Sequence, residues 1–132
     1  PEISLDGRFY YSYDEAIKLL DLLGPEEKQK YLLKEFIDLG FIFFYSSFFY
    51  VALSRLYNKN FLGIKYLGLV PGIIDFFETK FIILVLNQTV GAHIFYWLGS
   101  ITAAKWCFAG ICIFVLLIGL LLRFRFFKLT QA

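Results

Sequence analysis

The chain has 132 residues, of which 59% are apolar, 21% aromatic and only 18% charged. A soluble domain is about half apolar and about a quarter charged, so this composition is more apolar than a soluble fold requires. The net charge of +2 is small, and the basic residues lie at the ends of apolar segments rather than in a patch. Nucleic acid is therefore excluded as a partner, and the composition predicts an integral membrane protein.

The charges divide the chain into a charged head and an apolar body. Residues 1–35 hold eight of the eleven acidic residues and five of the thirteen basic residues. The N-terminus is acidic and lacks the apolar core of a cleavable signal peptide. The chain begins at Pro1 and contains no Met, which leads us to expect an upstream segment. We predict an extramembrane head over 1–24 and a transmembrane domain over 25–132.

The head contains the start and end signals of a short helix. Ser12 and Glu15 have the spacing of a capping box. One apolar stripe follows, formed by Ala16, Ile17, Leu19, Leu20 and Leu23. Gly24 suits the end of this helix and Pro25 the first turn of the next. We predict an amphipathic helix over 13–23 that packs against the protein, because an acidic polar face does not favour anionic lipid.

Three apolar segments are long enough to cross a bilayer, for which about 20 residues suffice. They lie at about 36–57, 62–87 and 97–122, the last within an apolar run that begins at residue 94. The third span either runs long and tilted or begins near Thr102. The fold class is therefore predicted as all-α, a helical integral membrane protein with three transmembrane helices preceded by a short amphipathic helix.

Proline and small residues in the second and third segments predict a helix break and sites of close helix packing. Pro71 and Gly72 interrupt the second segment and predict a kink or a partly unwound turn at Pro71. Gly68 and Gly72 form a G-x-x-x-G pattern that permits close helix approach. In the third segment a helix-packing face is predicted from small residues at every fourth position, Gly99, Ala103 and Cys107.

The placement of lysine and arginine predicts the orientation. Basic residues flank the turn between the first two spans and follow the third span: Arg55, Lys59, Lys65, Arg123, Arg125 and Lys128. With three spans both groups fall on one side, which the positive-inside rule makes cytoplasmic or its organellar equivalent. The acidic head and the loop around His93 then lie on the opposite side. The membrane is the cell inner or plasma membrane, or an organellar inner membrane.

The second span carries charges at bilayer depth, where each costs roughly 3 kcal/mol and usually has a partner or a function. Asp75 and Glu78 are about 60° apart on a helix and share a face, whereas Lys80 points elsewhere. Glu78 and Lys105 lie at similar heights, about 20 and 25 Å from the basic edge. We predict that Lys105 pairs with Glu78 or Asp75. The cluster then fixes helix register, relays protons or ions, binds substrate, or contacts a partner subunit.

The other polar residues give weaker indications of a functional site than this cluster does. His93 is the only histidine and a candidate ligand; one imidazole cannot hold a metal alone, although it suffices for axial ligation of a tetrapyrrole. An interfacial histidine is the favoured interpretation, and we predict no metal and no cofactor. Asp38, Tyr45 and Ser46 fall near one face of the first span and predict a polar seam. No catalytic residue is predicted, because no nucleophile–base pair or phosphate loop occurs.

Several spaced residues carry a resemblance to a known family. The order Y-S-x-x-E-A-x-x-x-L-x-x-L-G from Tyr11 to Gly24 is followed by Tyr31, Asp38, Tyr45, Pro71, Asp75, Glu78 and Lys105. This order resembles a family of small uncharacterised polytopic membrane proteins of about four helices. Where that family has asparagine after the glutamate, this chain has Thr79. The resemblance implies one further helix before the head, a cytoplasmic N-terminus and no known activity.

The functional expectation is non-enzymatic. We expect a small accessory, structural or assembly subunit of a larger membrane complex, whose partners are the lipid bilayer and other membrane subunits. The alternative is a membrane-embedded enzyme or carrier that uses Asp75, Glu78 and Lys105 on a lipidic or small polar substrate. A third alternative is a homo-oligomer that forms through the small-residue faces.

Overall fold

The computed structural model describes residues 5, 7–57, 62–87 and 91–129, with the backbone alone at 62, 92 and 124–129. These residues are almost entirely helical and include no strand. The helices in chain order are α1 (Tyr13–Leu22), α2 (Pro25–Leu56), α3 (Leu62–Leu67), α4 (Val70–Leu86) and α5 (Phe95–Leu129), with a 3₁₀ turn at Ala92–Ile94 before α5. The predicted all-α fold class is confirmed. Residues 1–4 of the head and Lys59 of the first turn lie outside the described residues.

Two helices are long enough and apolar enough to cross a membrane, judged by length and composition. They are α2 and the Phe95–Arg123 part of α5. The predicted second span over 62–87 is divided into α3, of six residues, and α4, of 17 residues. Of the three predicted spans, two are candidate membrane-crossing helices and the second is a broken segment.

The break in the second segment falls one turn before the proline. Gly68 and Leu69 leave the helix, and their N–H groups donate to the carbonyls of Lys65 (3.3 Å) and Tyr66 (3.0 Å), which closes α3. Pro71 then occupies the first turn of α4. A proline is tolerated there because the N–H it lacks has no helical acceptor. The predicted interruption is confirmed, but it lies at Gly68 and Leu69 rather than at Pro71.

The capping box predicted for α1 is confirmed. The backbone N–H of Ser12 donates to Glu15 Oε2 (2.8 Å), and the backbone N–H of Glu15 donates to Ser12 Oγ (3.3 Å). The end of the helix differs from the prediction. Leu23 is the C-cap with extended backbone, and Gly24 is the N-cap of α2 at φ −70°. Gly24 thus starts α2 rather than closing α1, and Pro25 opens α2 as predicted.

Two glycines allow the broken segment to lie directly on α2. A Cβ on Gly68 would lie 2.8 Å from the backbone of Phe49 and Tyr50. A Cβ on Gly72 would overlap the hydroxyl of Ser46. The close approach predicted from this G-x-x-x-G pattern is confirmed. α4 is thereby held between α2 and α5, and it contacts both.

The packing face predicted on α5 is only partly present. Gly99 is buried against the backbone carbonyl of Tyr11, and Ala103 is half-buried, but Cys107 is exposed. The prediction is wrong for Cys107 because α5 turns Thr102 and Lys105 toward α4 instead. Cys112, farther along the helix, is fully buried, and its thiol donates to the carbonyl of Leu67 (3.3 Å).

The head packs onto one end of the bundle. A buried apolar cluster joins the lead-in and α1 to the ends of α2, α4 and α5: Leu5, Tyr11, Ala16, Leu23, Tyr31, Ile82, Val85, Leu86, Phe95 and Leu98. Tyr13 stacks on Tyr96 with ring centroids 4.1 Å apart. The lead-in is also tied by hydrogen bonds from Trp106 Nε1 to the Arg8 carbonyl (2.9 Å) and from Leu5 N–H to Tyr31 Oη (3.1 Å).

The capping box predicts that the stability of α1 depends on pH. The donors of Ser12, with a smaller contribution from Arg8, hold the pKa of Glu15 below its ordinary value. A lowered folded-state pKa means that this stabilisation is present above the unfolded pKa and is lost as the pH falls through the folded one. We expect hydrogen exchange of α1 amides, corrected for intrinsic rates, to accelerate below about pH 4. Glu15→Gln should remove this dependence and Glu26→Gln should keep it; equal profiles in both would contradict the assignment.

The α2–α4 contact predicts a large effect of one methyl group. Gly72→Ala should destabilise the protein by about 1–3 kcal/mol, because the new Cβ meets Ser46 in a packed contact. Adding Ser46→Gly should restore most of that loss. Gly110→Ala is the matched control, since nothing in the described residues lies within 4 Å of its Cβ. Thermal unfolding in detergent measures all three, and similar melting temperatures for the Gly72 and Gly110 variants would contradict the prediction.

Candidate functional site

One lysine bridges two carboxylates in the interior of the bundle. Lys105 Nζ lies 2.9 Å from Asp75 Oδ1 and 2.7 Å from Glu78 Oε2. Asp75 and Glu78 belong to α4, and Lys105 belongs to α5. We call these three residues the charged cluster. Glu78 is fully buried, whereas the side chains of Lys105 and Asp75 keep 8% and 17% of their exposure.

Helix geometry explains why these side chains meet. Residues three apart on an α-helix are about 60° apart in azimuth, so Asp75 and Glu78 both face α5. Thr102 and Lys105 are also three apart and face α4 in return. Lys80, two residues after Glu78, is exposed on another side of α4. The structure thus brings together the residues that the sequence pairs by depth, and it gives Lys105 both acids rather than one.

Hydroxyl groups contact the two carboxylate oxygens of Asp75 and Glu78 that do not pair with Lys105. Tyr45 Oη on α2 donates to Asp75 Oδ2 (2.8 Å). The Thr102 hydroxyl contacts Glu78 Oε1 and also lies 2.9 Å from the carbonyl of Leu98, so its one proton has two acceptors. Each of the four carboxylate oxygens therefore has a polar partner within the chain. Buried polar groups are stable only when satisfied in this way, and this network joins α2, α4 and α5.

A second charged group lies on α2, nearer the head. Lys34 Nζ lies 3.0 Å from Asp38 Oδ2 and 3.9 Å from Glu35 Oε1. The seam predicted from Asp38, Tyr45 and Ser46 is present in part, because Asp38 and Tyr45 line the same cavity but each of the three side chains also has its own neighbour. Asp38 pairs with Lys34, Tyr45 with Asp75, and Ser46 packs against Gly72.

Glu35 is a buried acid that the sequence interpretation missed. Its side chain has no exposure, although it lies in the charged extension of α2. A signal for it was present. The buried residues of α2 are spaced by four, seven, four and seven positions, Tyr31, Glu35, Ile42, Ser46 and Leu53. This spacing is typical of one helix face, so Glu35 continues the apolar stripe into the charged segment.

A cavity of about 590 Å³ lies between α2, α4 and α5. Its polar wall contains Lys34, Asp38, Asp75 and Lys105, beside the rings of Phe41, Tyr45 and Trp106. Its apolar wall contains Phe49, Pro71, Ala109 and Ile113, and Gly7 of the lead-in completes the lining. The charged cluster is therefore not sealed, because Asp75 and Lys105 line a space large enough for a small molecule.

His93 lies away from this layer. It is exposed in the 3₁₀ turn before α5, twelve positions ahead of Lys105. In the described part of the chain, no group of three or more histidine, cysteine, aspartate or glutamate side chains is placed to hold a metal ion.

No protein-family model, curated protein or solved structure matches this chain. The resemblance to small polytopic membrane proteins stays a prediction that rests on the residues quoted for it.

The charged cluster predicts a strong effect of removing its cation. Lys105→Met leaves two buried carboxylates without their counter-ion, and we expect a loss of about 3–5 kcal/mol in the free energy of unfolding. Adding Asp75→Asn and Glu78→Gln to this variant should recover most of the loss. The control is Lys80→Met, which changes an exposed lysine. Chemical unfolding in detergent compares the variants, and equal losses for the two lysines would contradict a stabilising role for the cluster.

Proposed function

We propose that the chain is an integral membrane protein that acts as an accessory or assembly subunit of a larger membrane complex. Membrane insertion is supported by helices whose apolar side chains face outward. Only 17% of the apolar window in each candidate span is buried inside the protein. Large side chains such as Phe43, Phe44 and Phe48 on α2 are more than 60% exposed. Apolar surface of this extent requires lipid or a protein partner.

We further propose that α3 and α4 together form a third span. A break in a transmembrane helix is tolerated where protein covers the backbone. Here α2 covers the break at Gly68, and Cys112 donates to the carbonyl of Leu67 at the end of α3. The segment also contacts both candidate spans, which supports a shared depth.

The proposed orientation follows from the basic residues. Arg55 lies in the last turn of α2, Lys65 lies in α3, and Arg123 ends the candidate span of α5; all three are in the half of the bundle away from the head. We propose that this side faces the cytoplasm or its organellar equivalent. The head then lies on the opposite side of an inner, plasma or organellar membrane.

The observation that carries the subunit proposal is a pair of outward-facing glycines. Gly40 on α2 and Gly110 on α5 are exposed, and nothing in the described residues lies within 4 Å of a Cβ built on either. A glycine inside a helix costs about 1 kcal/mol relative to alanine. Among the described residues, no contact compensates for that cost. A partner helix that packs closely against these glycines would compensate for that cost, because small residues let membrane helices approach each other closely.

The charged cluster supports a non-enzymatic role. Each carboxylate oxygen of Asp75 and Glu78 already has a partner within the chain, and Lys105 is divided between them. Such a network fixes the register of α2, α4 and α5 without an external ligand.

The subunit proposal predicts a native assembly with foreign chains. Extraction in mild detergent should give a particle much larger than the 15.4 kDa chain, with the same co-migrating proteins each time. Gly40→Leu and Gly110→Leu should release the chain from this particle. Val51→Leu, an exposed change on the same helix as Gly40, should leave it intact. Native electrophoresis with mass spectrometry makes the measurement; a monomer would overturn the proposal, and a pure homo-oligomer would favour self-association.

A second candidate function is favoured by the cavity beside the charged cluster. A membrane-embedded carrier or enzyme would use Asp75 and Lys105, which line that cavity, on a lipidic or small polar substrate. In that case Asp75→Asn would keep the fold and the native assembly but lose transport or turnover.

A further inference from the structure

We propose that the cavity between α2, α4 and α5 binds an uncharged single-chain amphiphile with a hydroxyl headgroup, taken up from the bilayer. The hydroxyl donates to Asp75, and the hydrocarbon chain lies along Phe49, Ala109 and Ile113, which line the apolar wall. This inference rests on the proposed membrane insertion but not on the subunit role, because every contact it uses is within this chain.

The charged side chains that line the cavity balance each other. Lys34 lies 3.0 Å from Asp38 on α2. Lys105 of α5 lies 2.9 Å from Asp75 of α4. A cation that approaches either aspartate therefore meets a lysine beside it, and an anion that approaches either lysine meets an aspartate. An ion loses its hydration when it enters such a site, and a balanced wall does not offset that cost, so both kinds of charged headgroup are disfavoured.

Two further acids lie behind this wall and are not available to a headgroup. Glu35 and Glu78 have side chains with no exposure, and neither lines the cavity. Each has a charged contact within the chain: Glu35 lies 3.9 Å from Lys34 Nζ, and Glu78 pairs with Lys105. A molecule in the cavity therefore meets the two ion pairs of the wall rather than these acids.

Asp75 has room for one more hydrogen-bond donor. Its Oδ1 pairs with Lys105, and its Oδ2 accepts from Tyr45 (2.8 Å). A carboxylate has about four acceptor sites, so about two remain, and Asp75 lines the cavity. A hydroxyl brings a donor without bringing a net charge. The alcohol thus gains a charge-assisted hydrogen bond that an alkane of the same length lacks.

The shape of the cavity suits an elongated molecule with one polar end. Along α2 its lining runs from Asp38 to Phe49, a rise of about 16 Å. Along α5 it runs from Lys105 to Ile113, a rise of about 12 Å. In both helices the charged residue is the one nearer the head. A volume of about 590 Å³ is typical of a small-molecule site, so the apolar end accepts a hydrocarbon chain.

The cavity opens toward lipid. Three of its lining residues are also strongly exposed on the outer surface of the apolar helices: Phe41 at 64%, Trp106 at 43% and Ile113 at 51%. A molecule already dissolved in the bilayer reaches the cavity sideways between α2 and α5. We therefore assign the occupant to the membrane rather than to the aqueous phase.

The test uses Trp106 as an internal reporter. The full chain carrying Trp97→Phe, so that Trp106 is its one tryptophan, is reconstituted into phosphatidylcholine vesicles. Bromine-labelled dodecanol, dodecane, dodecylamine and dodecylsulfonate are titrated at about pH 7, where the amine is a cation. Each is corrected for its partition into protein-free vesicles.

We expect saturable quenching by the alcohol at about tenfold lower membrane concentration than by the alkane or by either ion. This factor is what one hydrogen bond to a charged group provides. Equal or tighter binding of an ion or of the alkane, or quenching by the alcohol without saturation, would overturn the proposal.

Substitutions in one ion pair should change the selectivity in opposite directions. Asp38→Asn leaves the lining with one positive charge in excess and should strengthen sulfonate binding about tenfold. Lys34→Gln leaves one negative charge in excess and should strengthen amine binding by about the same factor. Glu26→Gln and Lys30→Gln, which change an exposed ion pair of α2 outside the cavity, are the matched controls. Parental selectivity in both cavity variants would refute the charge-balance argument.

Two further variants separate the headgroup contact from the chain contact. Asp75→Asn should weaken alcohol binding about tenfold, to the level of the alkane, since the charge-assisted contact is lost. Ala109→Phe, which fills the apolar end, should abolish saturable binding of the alcohol. Its control is Ile111→Phe, an exposed position on α5 that does not line the cavity. Equal alcohol binding in these two phenylalanine variants would refute the site, even if Asp75→Asn misfolds.

A parallel titration tests insertion separately. Phosphatidylcholine brominated along its chains should quench Trp106 in vesicles with no amphiphile added. Absence of that quenching would overturn membrane insertion itself, whereas its presence without saturable alcohol binding would overturn only the ligand site.

Discussion

The bundle depends on one ammonium group that is shared by two carboxylates. Lys105 lies between Asp75 and Glu78, and removal of Lys105 leaves both carboxylates without a counter-ion. Apolar side chains slide past each other at little cost in lipid, because tails and side chains are equally apolar. A short ion pair has no such freedom. The cluster therefore sets the relative height of α4 and α5, and Tyr45 extends this constraint to α2.

The other contacts of the fold follow from the register set at that layer. Toward the head, α1 and the lead-in close the bundle through an apolar cluster, and Gly99 lets the chain at Tyr11 approach α5. Away from the head, Gly68 and Gly72 bring the broken segment onto α2. Both ends use glycine where a backbone must approach another element.

The outer surface and the interior of the bundle suit different binding partners. Outside, exposed phenylalanines and the open glycines at 40 and 110 suit lipid and partner helices. Inside, the charged cluster is satisfied by its own chain, yet Asp75 keeps one edge toward the cavity. A satisfied network with one accessible acid supports a scaffold that also holds a ligand.

Local patterns in the sequence determined the helical class, the capping box at Ser12, the interruption near Pro71 and the pairing of Lys105 with the acids of α4. Each depends on residues close in sequence or on helical rise, which is the same in any fold. Only the tertiary structure decided what depends on the rotation of one helix against another. Cys107 faces outward, Gly24 starts α2, Glu35 is buried and the cavity opens beside Asp75. Rotation is set by the sum of many side-chain contacts between distant segments, and α5 is so uniformly apolar that no local pattern specifies its buried face.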